Sequence, residues 1–312
     1  MHRHRSNDLA TVCLETNSPR LRSFASNPLK VLYTFRVVTL GVLLGATSAL
    51  VAQNSVRRTH ATDAGVLDAR EIVTRSIAAA ERSWQARGHY IYMERDEDRR
   101  LNAAGQVESQ NVDVARMTVV NGARFEQVLE HNGQPPTAKD QRKNDDDLEK
   151  LKHESSAEQT ARINRDYENR SFLAEMLQAF DFQLTGEDIT DGRPAYVLLA
   201  TPHPGYRAKG KYGKMLSKVE GKLWVDKQDF GWIKVDGRVT QSFSIGLFAA
   251  RVQRGSHILL RQNCVGDAVW VPTRLEIRAS ARILFLKNLE MYRILTYSDY
   301  HLATDGPYSV SR

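Results

Sequence analysis

The chain has 312 residues, 41% of them hydrophobic and 26% charged, an ordinary globular composition that excludes disorder over most of its length. Its formal charge is +7, but residues 1–52 hold Arg3, Arg5, Arg20, Arg22, Lys30 and Arg36 against Asp8 and Glu15, a net of +4. The remainder carries a net of +3, so the high pI is largely a leader effect, lends nucleic-acid binding little support, and no nucleic-acid partner is expected.

Residues 37–52, VVTLGVLLGATSALVA, are apolar, uncharged, preceded by Lys30 and Arg36, and end in small residues. This is the pattern of a secretory signal. The run falls short of the roughly 20 residues a bilayer-spanning helix needs, so cleavage after Ala52 is expected in preference to an uncleaved inner-membrane anchor, and the mature chain is expected in the periplasm. Cys13 lies upstream of the run and no Cys directly follows it, which gives no support to a lipid-anchored N-terminus. The segment before the run is long for a signal, and a start near Leu29 or Val31 would leave an ordinary one of about 22 to 24 residues. Beyond residue 52 only Cys264 remains, which excludes an intrachain disulfide. A core of roughly 200 to 250 residues needs no such staple.

Residues 53–66 read as a polar flexible tail. Asp68 and Glu71 resemble a capping box, and Val73, Ile77, Ala80 and Trp84 recur at helical spacing until Gly88. From His89 the period becomes two, giving three β runs separated by residues 102–105 and by Asn121-Gly122, with Asn132-Gly133 following. Asn-Gly favours the positive φ angles of a type I′ hairpin turn, so an antiparallel meander is expected. Residues 134–147, with a Pro pair and Asp145-Asp146-Asp147, read as a charged loop before a helical insertion at 148–180. There Ser155 and Glu158 form a second capping box, and Ile163, Tyr167, Leu173, Met176, Leu177 and Phe180 supply an apolar stripe. Asn169 and Ser171 are places where this helix could divide.

Strand patterns resume at Asp181, turn at Asp191-Gly192, and lead to a basic loop holding Arg207, Lys209, Lys211, Lys214 and Lys218. Its default reading is a solvated loop, with contact to anionic headgroups or an acidic partner as the alternative. Residues 221–239 form the clearest hairpin. Strict alternation puts Leu223 and Val225 opposite Trp224, and Ile233 and Val235 opposite Trp232. A Trp set among Lys and Asp implies a partly covered face, the alternative being a surface Trp packed on a lysine stem. Four further β runs bring the expected count to roughly nine to eleven strands, with no repeat of 20 to 50 residues.

The order of helix, meander, helical insertion and long meander, with Leu223-Trp224-Val225-Asp226, Trp270-Val271-Pro272 and Tyr297-Ser298-Asp299-Tyr300, resembles the periplasmic lipoprotein-carrier (LolA-like) superfamily. That superfamily includes outer-membrane lipoprotein-sorting proteins and the N-terminal domain of RseB-type regulators. The resemblance covers residues 67–302, leaving a C-terminal tail at 303–312. It implies an α+β fold, a curved antiparallel half-barrel covered by the N-terminal helix and the insertion, with an apolar cavity for lipid or lipoprotein acyl chains. The insertion is longer and more charged than expected of the carrier itself, and no ligand-contacting residue of the family is carried over to this chain. A membrane-associated protein partner, as for RseB-type proteins, is the alternative reading.

No catalytic set stands out. The histidines form no metal-binding pair, Asp145-Asp146-Asp147 lacks the pattern of a calcium loop, and no nucleophile elbow, phosphate loop or dinucleotide fingerprint occurs. Ser298 has no identifiable base. The expectation is a non-enzymatic protein without cofactor or metal, an unrecognised hydrolase being the remaining alternative. Tyr90, Tyr92, Phe125, Tyr196, Trp224 and Trp232 are candidates to line a cavity or to fill a core. Leu173, Met176, Leu177 and Phe180 suit either a lid or a core helix.

Overall fold

The computed structural model describes residues 67–208, 213–245, 250–283 and 287–303. The leader, its apolar run, the tail to Val66, the C-terminal segment from 304, and Lys209, Lys211 and Tyr212 of the basic loop lie outside the described residues.

The fold is α+β, built on a 12-stranded antiparallel sheet that is not closed. Helix α1, Ala69–Arg87, opens the described chain. The Asp68 side chain accepts from the Glu71 N–H, whereas the Glu71 carboxylate pairs with Arg75 at 2.7 Å, so only half of the expected capping box forms. The buried face holds Ile72, Val73, Ser76, Ala79 and Ser83, shifted from the expected stripe; Ile77, Ala80 and Trp84 lie at its margin. Strands β1 (Tyr90–Leu101), β2 (Val107–Val120) and β3 (Ala123–His131) follow as a meander. Asn121-Gly122 turns with φ of 49° and 68°, and Asn132-Gly133 with 51° and 75°, as type I′ geometry demands.

The segment expected as a charged loop is in fact helical. Helix α2, Ala138–Lys152, starts at a Thr137–Asp140 capping box just after the Pro pair, and buries no side chain. Its helicity comes from the cap and from charge pairs three or four residues apart, Lys143 and Lys150 both reaching Asp147. Helix α3, Ser156–Ala179, starts at the Ser155–Glu158 capping box and runs unbroken through Asn169 and Ser171. Ile163, expected in its apolar stripe, is 56% exposed. The first half of α3 meets the protein through Arg162, which holds Glu154 and reaches the Asn121 and Gly122 carbonyls.

After β4 (Phe180–Thr190) and β5 (Arg193–Pro202) come the short helix α4 (Gly213–Leu216), β6 (Val219–Asp226) and β7 (Trp232–Val239). Within and beside the β run expected at 244–253, β8 (Phe243–Ile245) pairs with β9 (Ala250–Val252), a side branch on the sheet. Strands β10 (His257–Val265), β11 (Val269–Ile283) and β12 (Lys287–Leu302) complete the sheet, in the order β3-β2-β1-β12-β11-β10-β7-β6-β5-β4. Helix α1 touches β4 at one edge and β11 along the way, and its Trp84 ring lies 4.6 Å from the Arg124 guanidinium of β3, the other edge. It therefore reaches from one edge strand of the sheet to the other.

The central hairpin departs from strict alternation. The pairing shifts between Trp224 and Val225, so that Val225 faces Trp232 and Leu223 faces Val235, and Ile233 is the extra residue. Such a bulge flips the side on which following residues emerge. Trp232 joins Leu223 and Val225 in the core, and Ile233 joins Trp224, Ala195 and Trp270 on the opposite face. Both faces are thus covered here. Trp224 is 9% exposed, its Nε1 donates to Asp188 at 3.1 Å, and Lys234 Nζ lies 4.0 Å from its ring centre. Trp224→Ala is expected to cost about 3 kcal/mol, read as a lowered unfolding midpoint in denaturant. The turn residue Gly231 admits no side chain, because a Cβ there would sit 2.0 Å from Trp270 Nε1.

Candidate functional site

The site with the most apolar character is the seam where α1 and the C-terminal half of α3 meet the β4–β7 end of the sheet. Ile72 and Val73 enter from α1 and Phe172 and Leu173 from α3, against Leu198, Leu223, Val225 and Trp232 of the sheet. Burying this many large aliphatic side chains drives the docking of both helices, since each contributes about 1.5 to 3 kcal/mol. Around the core lies a half-buried rim of Met176, Leu177, Phe182, Tyr196, Met215 and Phe230.

The rim is aromatic and faced with cations. Tyr196 and Phe230 stack with ring centroids 6.5 Å apart, Arg75 lies 5.2 Å from the Phe230 centroid, and Lys227 Nζ lies 5.0 Å from that of Tyr196. Phe230 holds this place with φ of 59°, a conformation rare for a bulky residue. Three interactions pin the surrounding chain: Arg70 donates to the Leu177 carbonyl, the His203 N–H donates to the Ala179 carbonyl, and the Tyr206 hydroxyl donates to the Glu175 carboxylate. Inside the seam, Trp232 is 8% exposed and its Nε1 is enclosed without an acceptor among the described residues.

On the opposite face lies a cleft of about 620 Å³, lined by Asp191, Arg193, Arg261, Gln262, Arg274 and Trp270 among others. Arg193 there is bound to Asp226 and Asp229, and its guanidinium lies 5.2 Å from the centre of the Trp270 ring. The half-buried Cys264 thiol is pushed up in pKa by burial and by the neighbouring Asp229 carboxylate. Among the described residues there is no group of three or more His, Cys, Asp or Glu arranged to hold a metal ion. No helix among them is long and apolar enough to cross a membrane.

The chain is similar to several solved structures. A DUF1329 family protein from Desulfovibrio piger is 12% identical with a TM-score of 0.32, over 77% of this chain and 96% of the other. A LolA superfamily protein from Nitrosomonas europaea is 13% identical with a TM-score of 0.27, over 78% and 96%. The MucB of Pseudomonas aeruginosa, solved with MucA, is 14% identical with a TM-score of 0.23, over 73% and 92%. No protein-family model and no curated protein matches the chain.

Of the residues the sequence pointed to, Leu173, Met176, Leu177, Phe180, Tyr196 and Trp232 come together in the seam. The other four do not. Tyr92 sits in a second core with Met117, Leu260, Leu275, Leu295 and Tyr297, and stacks on Tyr300 at 4.9 Å. Tyr90 meets the edge of the same Tyr300 at 6.5 Å. Burial pushes the hydroxyls of Tyr92, Tyr297 and Tyr300 up in pKa, keeping them neutral. Phe125 pairs with Thr118, the residue after Met117, and so emerges on the face opposite Tyr92. Trp224 is turned away from the seam by the hairpin register. Sequence reasoning missed Phe172, Phe182, Leu198, Tyr206 and Phe230. Phe230 carried a faint signal, an aromatic residue inside a short polar turn.

Proposed function

We propose that the protein is an exported, non-enzymatic binding protein of the periplasm, and that the seam under α1 and α3 takes the acyl part of a lipid or lipoprotein. The observation that carries this reading is Trp232, an indole N–H enclosed among apolar side chains with no acceptor among the described residues. A buried donor without a partner costs about 1 to 3 kcal/mol, and a ligand carbonyl or carboxylate oxygen offsets that cost. The half-buried rim suits the chain of such a ligand: Met adapts to varied apolar surfaces, and the Tyr196–Phe230 stack offers a flat apolar wall. Export rests on the apolar leader run.

The test is mass spectrometry of organic extracts from the natively purified protein, followed by titration of the delipidated protein with a long-chain fatty acid while tryptophan fluorescence is read. Co-purified acyl lipid and saturable quenching are expected. Trp232→Phe keeps the packing and removes the donor, and is expected to weaken binding about tenfold. Absence of co-purified lipid together with no saturable quenching would overturn the reading and leave a protein partner as the function to pursue.

A further inference from the structure

The outer face of the sheet carries charge in rows that run across the strands. In register, Lys234 of β7 stands beside Arg261 of β10, Arg261 beside Arg274 of β11, Arg274 beside Thr296 of β12, and Thr296 beside Arg95 of β1. Like charges directly opposite one another on paired strands are destabilising, so this row needs counter-charge. The next row on the same face supplies part of it, with Asp236, Glu276 and Glu97. Arg274 gives its Nε to Glu276 at 2.6 Å, and Arg95 reaches Glu97 at 3.4 Å.

The other flank of the cationic row is different. There the β10–β11 pairing shifts at Arg261/Gln262, and the cleft of about 620 Å³ opens beside Arg261 and Arg274 with Gln262, Asn263, Thr273 and Thr296 in its walls. The single carboxylate in the lining is Asp191, which takes two bonds of 3.0 Å from Nη1 of Arg261. Nε and Nη2 of Arg261 keep no protein acceptor among the described residues, and Arg274 has no carboxylate partner there other than Glu276. Two adjacent guanidiniums, a threonine hydroxyl and side-chain amides around a cavity of ligand size form a receptor for an oxyanion.

We propose that this cleft binds a phosphate monoester dianion, free or as a lipid headgroup, bridged between Arg261 and Arg274 with Thr296 as a further donor. A dianion suits the site because it relieves the repulsion between the paired arginines and presents enough acceptors for both forks. The site lies on the face away from Trp232 and is independent of the acyl-binding seam.

Calorimetric titration with glycerol 3-phosphate and flotation with phosphatidic acid vesicles, using phosphatidylcholine vesicles as blank, separate the two sources. Saturable binding of one or both probes is expected. Arg274→Gln and Arg261→Gln are each expected to weaken it about tenfold or more. Thr296→Val, which touches no ion pair, is expected to weaken it severalfold with an unchanged melting temperature. Arg238→Gln, on the same face but two rows away, should bind as wild type. No binding of either probe would overturn the proposal, and so would equal loss in Arg238→Gln, which would make the effect one of general surface charge.

Discussion

Leu173→Asp is expected to unfold the domain. Leu173 is 2% exposed and packs in the seam with Ile72, Phe172, Leu198 and Leu223. The substitution removes packing worth about 2 to 5 kcal/mol and places a carboxylate among apolar groups, a further cost of several kcal/mol. Together these approach the roughly 5 to 15 kcal/mol that holds a domain of ordinary stability. Circular dichroism of the variant should show loss of the β signal with no cooperative melt. Leu177, one turn further along α3, is half-buried, so Leu177→Asp should fold with a lowered midpoint. The contrast bears on ligand entry. A helix that lifted away as a lid would tolerate Asp at both positions, whereas the burial of Leu173 makes this part of α3 a wall of the seam. Under the proposed acyl-binding function, access would be through the rim of Met176, Leu177, Tyr196 and Phe230. A Leu173→Asp variant that melted like wild type would show that α3 parts from the sheet readily.

What could be read from the chain alone was local. Asn121-Gly122, Asn132-Gly133 and Asp191-Gly192 all adopt the paired positive φ angles that their types favour, and the Ser155–Glu158 cap starts α3 where expected. Helix α2 escaped notice because it buries no side chain and so has no apolar stripe, and because its Pro pair and Asp run look like loop chemistry. The cap at Thr137 and the charge spacing of Lys143, Asp147 and Lys150 were its signals. The bulge at Ile233 hid which Trp faces the seam, since alternation assumes an unbroken ladder. Longer-range features were out of reach in principle. Arg95, Arg261 and Arg274 become neighbours only through the pairing of β1, β12, β11 and β10, and the missing acceptor at Trp232 is a property of packing from α1, α3 and four strands.

Asp226→Asn is expected to cost about 1 to 3 kcal/mol, because the buried carboxylate loses hydrogen bonds from charged and backbone donors, while Arg193 is a third exposed and keeps Asp229 as a partner. Asp226 is 1% exposed and organises the turn of the central hairpin. Its carboxylate accepts from Arg193 Nε at 2.6 Å and Nη2 at 3.1 Å, and from the backbone N–H groups of Gln228 at 2.9 Å and Asp229 at 2.7 Å. Asparagine offers one acceptor oxygen and turns an NH₂ group toward a guanidinium or an N–H. Burial alone would push the carboxyl up, but the Arg193 guanidinium and the two backbone N–H groups outweigh it and hold it below the ordinary value of 3.8. The sign of the pH dependence follows. Above 3.8 the group is ionised in both folded and unfolded chains and its full contribution is present; as pH falls through the depressed folded value, that contribution is lost. Denaturant unfolding of wild type and Asp226→Asn should therefore differ most near neutral pH, and the difference should narrow as the pH drops below about 4. A difference that stayed constant into acid would mean that the cost lies in turn geometry and not in the charge.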